Sequence, residues 1–132
     1  MDIVTRKQIN ILIRLAMADK KVTKEERKMI FDLATEKNFP KETVDYLFQQ
    51  QEPIGTLGAL SQNQKFEYLY NSICLMKVDR KITQSELVFC EDIAMRMGFR
   101  KDVVRMLSDQ VEIEKTDSTD FESLKSQVYA YY

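Results

Sequence analysis

Four carboxylates stand out in this chain because their spacing repeats. Asp19-Lys20-Lys21-Val22-Thr23-Lys24-Glu25-Glu26 and Asp79-Arg80-Lys81-Ile82-Thr83-Gln84-Ser85-Glu86 share the pattern Asp-x-Lys-(Val/Ile)-Thr-x-x-Glu. The chain has no histidine and only two cysteines, Cys74 and Cys90. Ser-His-Asp and Cys-His nucleophile systems, histidine proton shuttles and cysteine-rich zinc sites are thereby excluded. A metal held by Asp19, Glu26, Asp79 and Glu86 meets oxygen ligands alone, which selects hard Ca2+, Mg2+ or Mn2+ over zinc or copper. The ligand spacing of an EF-hand is absent. Counted from Asp19, the third position is Lys21, the sixth is Lys24 where glycine is needed, and the twelfth is Ile30 in place of a bidentate Glu. The second repeat fails at Lys81, Gln84 and Cys90.

The same residues have a structural reading. Thr23-x-x-Glu26 and Thr83-x-x-Glu86 are capping boxes, in which the threonine hydroxyl takes the Glu amide and the carboxylate returns to the threonine amide. Each cap stabilises its helix start by about 1 kcal/mol. Asp19 and Asp79 stand near the ends of preceding helices, where a carboxylate opposes the macrodipole at a cost of roughly 0.3–1 kcal/mol. Folding each forward onto the start of the next helix, four residues on, removes that conflict.

Around these turns the chain resembles the TerB-like family, known from tellurite-resistance proteins and from a domain of a DnaJ-like membrane co-chaperone. That family carries Asp-Gly-x-Val-x-x-x-Glu after a helix in each of two all-helical repeats, and the similarity covers about Ile9 to Leu107. The resemblance implies a divalent-metal site at the acidic residues and a membrane-associated stress or signalling role inside the cell. The family's glycine is Lys20 and Arg80 here, a cation beside each acidic residue.

A second constellation points elsewhere. Ala34, Asn38 and Val44, and again Ala94, Gly98 and Val104, stand at the Ala-x3-Gly-x5-Val spacing common in helix-turn-helix units that bind DNA. A small residue allows close helix approach, a left-handed residue makes the turn, and the valine packs the second helix back. Any helical hairpin can use that packing. Glu42, Asp45 and Asp102 would face phosphates, although Arg100, Lys101 and Arg105 suit them, and the net charge of −1 gives no basic footprint. Nucleic acid is not the expected partner.

The elements that position these residues are helices. Three glycines and two prolines are too few for the tight turns of a small all-β domain, and apolar residues recur at spacings of three and four. Phe66, Leu69, Ile73 and Met76 form one stripe; Ile9, Ile13 and Ala16 form another. Start and stop signals predict helices over about Ile3–Ala18, from Lys24 to Asn38, Pro40–Gln50, Gln62–Lys77, Gln84–Met97 and Arg100–Glu112, with Gly98 a stop. A further capping box at Thr119–Glu122 opens a C-terminal helix towards Tyr132. Residues 51–61, QEPIGTLGALS, read as a linker between repeats of about 3–50 and 62–112. A shift of 60 residues lays Leu15–Leu47 over Leu75–Leu107 without a gap, and 11 of the 33 pairs are identical. The expected fold is all-α: one TerB-like domain over residues 1–132, with two three-helix repeats packed about a pseudo-twofold axis and a seventh helix.

The cysteines and most methionines read as core. Tyr129, Tyr131 and Tyr132 end an acidic C-terminal stretch, either docked on the domain or offered to a partner. No apolar run approaches the roughly 18 residues of a membrane span and the start lacks a signal peptide's pattern, so a cytoplasmic chain is expected, with peripheral membrane association left open. No phosphate-binding glycine loop or argued acid/base pair is present. The expected role is a non-catalytic protein-interaction module with an unidentified protein partner; a divalent-metal sensor and a DNA-binding protein are the alternatives.

Overall fold

The computed structural model describes residues 3–78, 82–111 and 119–132, the side chains of 119–121 excepted. Within them the chain forms seven helices: α1 (Ile3–Ala16), α2 (Lys24–Glu36), α3 (Lys41–Gln49), α4 (Gln62–Lys77), α5 (Gln84–Arg96), α6 (Asp102–Gln110) and α7 (Thr119–Tyr129). The expected all-α class is the observed one, with most boundaries within two residues of those predicted. Pro40 differs slightly. It is the N-cap of α3, with an extended backbone, and its ring precedes the first turn.

Capping explains where the longer helices begin. Thr23, Ser61 and Thr83 each accept the amide three residues on, and Glu26, Gln64 and Glu86 return to the cap amide. The side chains of the capping box expected at Thr119 lie outside the described residues. Left-handed residues end α2 and α5: φ is +57° at Asn38 and +99° at Gly98. In both hairpins the amide three residues past the helix turns back on the small residue, Phe39 N to Ala34 O at 2.8 Å and Phe99 N to Ala94 O at 3.0 Å. Ala34, Val44, Ala94 and Val104 are fully buried, so the helix-turn-helix spacing is accounted for by packing.

The repeat organises the core. α2 and α5 have 13 residues each, and α3 and α6 have nine each. Each first helix packs on the second and third of its own half, and α1 lies along α4 to join the halves. Burying α1 between the repeats requires apolar residues around most of its girth, which Ile9, Ile11, Leu12, Ile13 and Leu15 supply. The stripe Phe66, Leu69, Ile73 and Met76 does the same for α4. Cys90 is a buried thiol and Cys74 a half-buried one, both free. Met76 and Met97 fill the core, whereas Met17 and Met95 are exposed, a departure from the core role expected of the methionines.

The linker is not slack. Asn10 donates to the Glu52 carbonyl at 2.8 Å and accepts the Glu52 amide at 2.8 Å, while Arg14 donates to the same carbonyl at 2.7 Å. Arg6 grips the Glu52 carboxylate through Nε and Nη2 at 3.0 and 2.7 Å. Further along, Lys7 holds the Thr56 carbonyl and Leu57 is buried in the core. Residues 51–61 therefore form a strap bound to α1. No helix among the described residues is long and apolar enough to cross a membrane.

Candidate functional site

The capping boxes bring Glu26 and Glu86 to the first turns of α2 and α5, and burial there is almost complete, with each residue 1% exposed. In each, Oε1 accepts the cap amide, Thr23 N at 2.9 Å and Thr83 N at 3.0 Å; the Thr83 hydroxyl adds a bond at 3.1 Å. The two side chains, equivalent by the repeat, meet each other. Burial pushes the Glu26 carboxyl up to about 7 and raises Glu86 as well. The cap bonds oppose this in both, and the hydrogen bond between the two carboxyls raises Glu26 while it lowers Glu86. Side by side and buried, the two carboxyls together disfavour full ionisation.

One atom in this arrangement lacks a protein donor. Oε2 of Glu26 is fully buried and has no hydrogen-bond partner among the described residues. A cap alone does not call for such an atom, since Gln64 fills the same third position of α4 with an amide. Two buried carboxyls side by side cannot both ionise without a cation between or near them.

Of the other expected ligands, Asp19 is exposed. Its Oδ1 accepts the Lys21 amide at 3.1 Å in a tight turn after α1. Its charge nevertheless reaches across to the other repeat and raises Glu86. The forward fold expected for Asp19 thus takes the form of a local turn, with no bond to the α2 amides. Asp79 lies outside the described residues. Among those described, no group of three or more Asp, Glu, Cys or His side chains is close enough to hold a metal ion. Glu26 and Glu86 are the two of the set that the structure brings together. Beside Asp19, Lys20 adopts φ +68°, the left-handed conformation that glycine takes without strain.

One residue that the sequence pattern did not mark, Lys65, belongs to a second cluster with the C-terminal tyrosines. Lys65 is nearly buried under Tyr132, and Arg100 is engaged with residues 130 and 131. Of the two alternatives read for Tyr129, Tyr131 and Tyr132, docking on the domain is the observed one. No family model, curated protein or solved structure matches the chain.

Proposed function

We propose that the chain is a non-catalytic binding module whose repeats share an acidic centre, built on Glu26 and Glu86 with Asp19 acting on it, that exchanges a proton for a divalent cation. The observation that carries this reading is the buried, unpartnered Oε2 of Glu26. It is an acceptor kept out of water at a position where glutamine would cap equally well. A cation would satisfy that oxygen and remove the cost of ionising both groups. An all-oxygen donor set suits Mg2+, Mn2+ or Ca2+, and Mg2+ in particular binds through one or two carboxylates with its remaining ligands water. The TerB-like resemblance implies the same site.

The centre joins α2 of one repeat to α5 of the other, so its occupancy bears on how firmly the halves are held. That makes it a sensor of ion or proton level whose output is the packing of the two repeats. A protein partner for that output has one supporting feature. Val88 and Met95 lie seven residues apart on one face of α5, the helix that Glu86 caps, and each is half exposed. The DNA reading loses its leading cation, because Arg100 is committed to residues 130 and 131.

Calorimetric titration of metal-stripped protein with Mg2+, Mn2+ and Ca2+ tests the proposal, run beside Glu26→Gln and the Asp19→Asn/Asp79→Asn double variant. Saturable heat in the parent protein, abolished in Glu26→Gln and weakened in the aspartate variant, is the expected result. No heat at millimolar metal, with the parent and Glu26→Gln melting curves unmoved by the ion, would sink it.

A further inference from the structure

The turn from α1 to α2 and the start of α5 lie at one end of the molecule. Glu26 and Glu86 hold the first turns of α2 and α5 together, and the charge of Asp19 reaches Glu86. Three ammonium groups stand at this end. Lys20, Lys21 and Lys24 are exposed, and none of their side chains has a hydrogen bond or ion pair among the described residues. Lys7, Lys28, Lys37, Lys65, Lys77 and Lys125, by contrast, each hold an oxygen of the chain. Of the other described lysines only Lys41 and Lys101, at the starts of α3 and α6, are unbonded. Lys20 is also left-handed, with φ +68°, where glycine would be unstrained, and no contact of its side chain within the described fold offsets that strain. Apolar surface accompanies the cations: Met17 is 37% and Ile82 48% exposed. The positive poles of α2 and α5 point the same way. The negative groups on the turn and first turn of α2 are Asp19, whose Oδ1 accepts the Lys21 amide, and exposed Glu25.

We infer that this end is a docking surface for an acidic segment of a partner protein, its carboxylates set against Lys20, Lys21 and Lys24 and its apolar side chains against Met17 and Ile82. Charge complementarity selects that occupant: the three lysines have no counter-charge within the described fold, and two helix dipoles add to them. Lysines act as separate point charges that carboxylates meet one by one, without the planar fork that suits arginine to phosphate. The chain's net charge of −1 gives no long-range pull on a polyanion such as nucleic acid. Met17 and Ile82 lack the aromatic anchors that seat a protein on a lipid surface. The inference stands apart from the acidic centre beneath this surface and needs no cation in it.

Fluorescence anisotropy on the full-length protein in chelating buffer tests it, with a labelled Glu/Leu peptide and a Lys/Leu peptide of the same spacing. Saturable binding of the acidic peptide alone is expected. It should weaken about tenfold in Lys20→Gln/Lys21→Gln/Lys24→Gln and severalfold in Ile82→Ser. Lys41→Gln/Lys101→Gln, which removes the other two unbonded lysines, should leave it unchanged. All the lysine positions are exposed, and Gln84 is the natural counterpart of Lys24 in α5, so the triple variant keeps the fold; circular dichroism checks this. Equal losses in the two lysine variants would reduce the binding to general charge attraction and overturn the inference. No binding of the acidic peptide would overturn it too, as would capture by phosphatidylglycerol vesicles in its place. With metal chelated throughout, this result and the metal titration can fail independently of each other.

Discussion

Glu26 and Glu86 stand 60 residues apart at equivalent positions, and their carboxyl groups meet in the interior, where burial raises the pKa of both. Each is fixed by its own helix: Oε1 is used by the cap, which aims the other oxygen away from the helix start. Because α1 and α4 bind the halves along their length, the first turns of α2 and α5 converge. The result is a polar contact between repeats whose stability depends on its charge.

That dependence has a definite sign. Glu26 titrates near 7 in the folded chain against an ordinary value of 4.5, so between those values the native state holds a proton that the unfolded state has released. The stabilisation is complete below about pH 4.5 and is lost as pH rises through 7, a decline of order 2–3 kcal/mol in urea unfolding without metal. Glu26→Gln retains the cap, as Gln64 does in α4, and removes the ionisation. Its stability should be flat over this range and exceed that of the parent by about 1–3 kcal/mol at pH 8. Parallel pH profiles for the two proteins would remove the raised Glu26 titration from the account.

Cation binding at the centre must displace that proton. Affinity for Mg2+ or Mn2+ is therefore expected to rise about tenfold for each pH unit below 7 and to level off above it, because one proton leaves per ion bound. Titrations at pH 6 and 8 in buffers of different ionisation enthalpy count the released proton directly. A pH-independent affinity would place any bound ion away from Glu26.

The helices were legible because their signals are local. Thr23-x-x-Glu26, Asn38 and Gly98 mark ends through bonds or backbone angles within a few residues, and the 60-residue shift revealed the repeat as a match in one register. The meeting of Glu26 with Glu86 is not local. A repeat tells which residues are equivalent, but only three-dimensional packing decides which of them contact their counterparts. Leu15 and Leu75, or Ala34 and Ala94, are equally well matched in sequence. The binding of the strap to α1 was hidden for a related reason. Proline and two glycines in residues 51–61 describe a chain that turns, while the clamp that binds it is on α1, where Arg6, Asn10 and Arg14 recur every four residues.

Lys20 carries the simplest backbone test. With φ at +68°, its side chain is held in a conformation that costs an L-residue roughly 1 kcal/mol relative to glycine. Lys20→Gly should raise stability by about 0.5–1 kcal/mol in thermal or urea unfolding, and Lys20→Val should lower it by more, since a β-branched side chain fits that region worst. Removing a cation beside Asp19 should also strengthen divalent-ion binding at low salt. A destabilised glycine variant would show that the lysine side chain makes a contact outweighing the strain.

Asn10 tests whether the strap is part of the folded core. The residue is 2% exposed, and its amide meets both backbone groups of Glu52, so it replaces the hydrogen bonds a helix or sheet would give that segment. Asn10→Ala leaves the Glu52 amide without its partner and opens a small gap beside α1. The Glu52 carbonyl keeps Arg14. The expected cost is about 2–3 kcal/mol, read as a lower midpoint with an unchanged slope in urea. Asn10→Asp keeps an acceptor for the Glu52 amide but sets a charge against the Glu52 carbonyl, and should cost at least as much. Arg6→Gln, which breaks a half-exposed ion pair on the same strap, should cost under 1 kcal/mol and less still in high salt. If the Asn10 variants were as mild as Arg6→Gln, the strap would be held by Leu57 and its neighbours, and the amide clamp would follow the fold without supporting it.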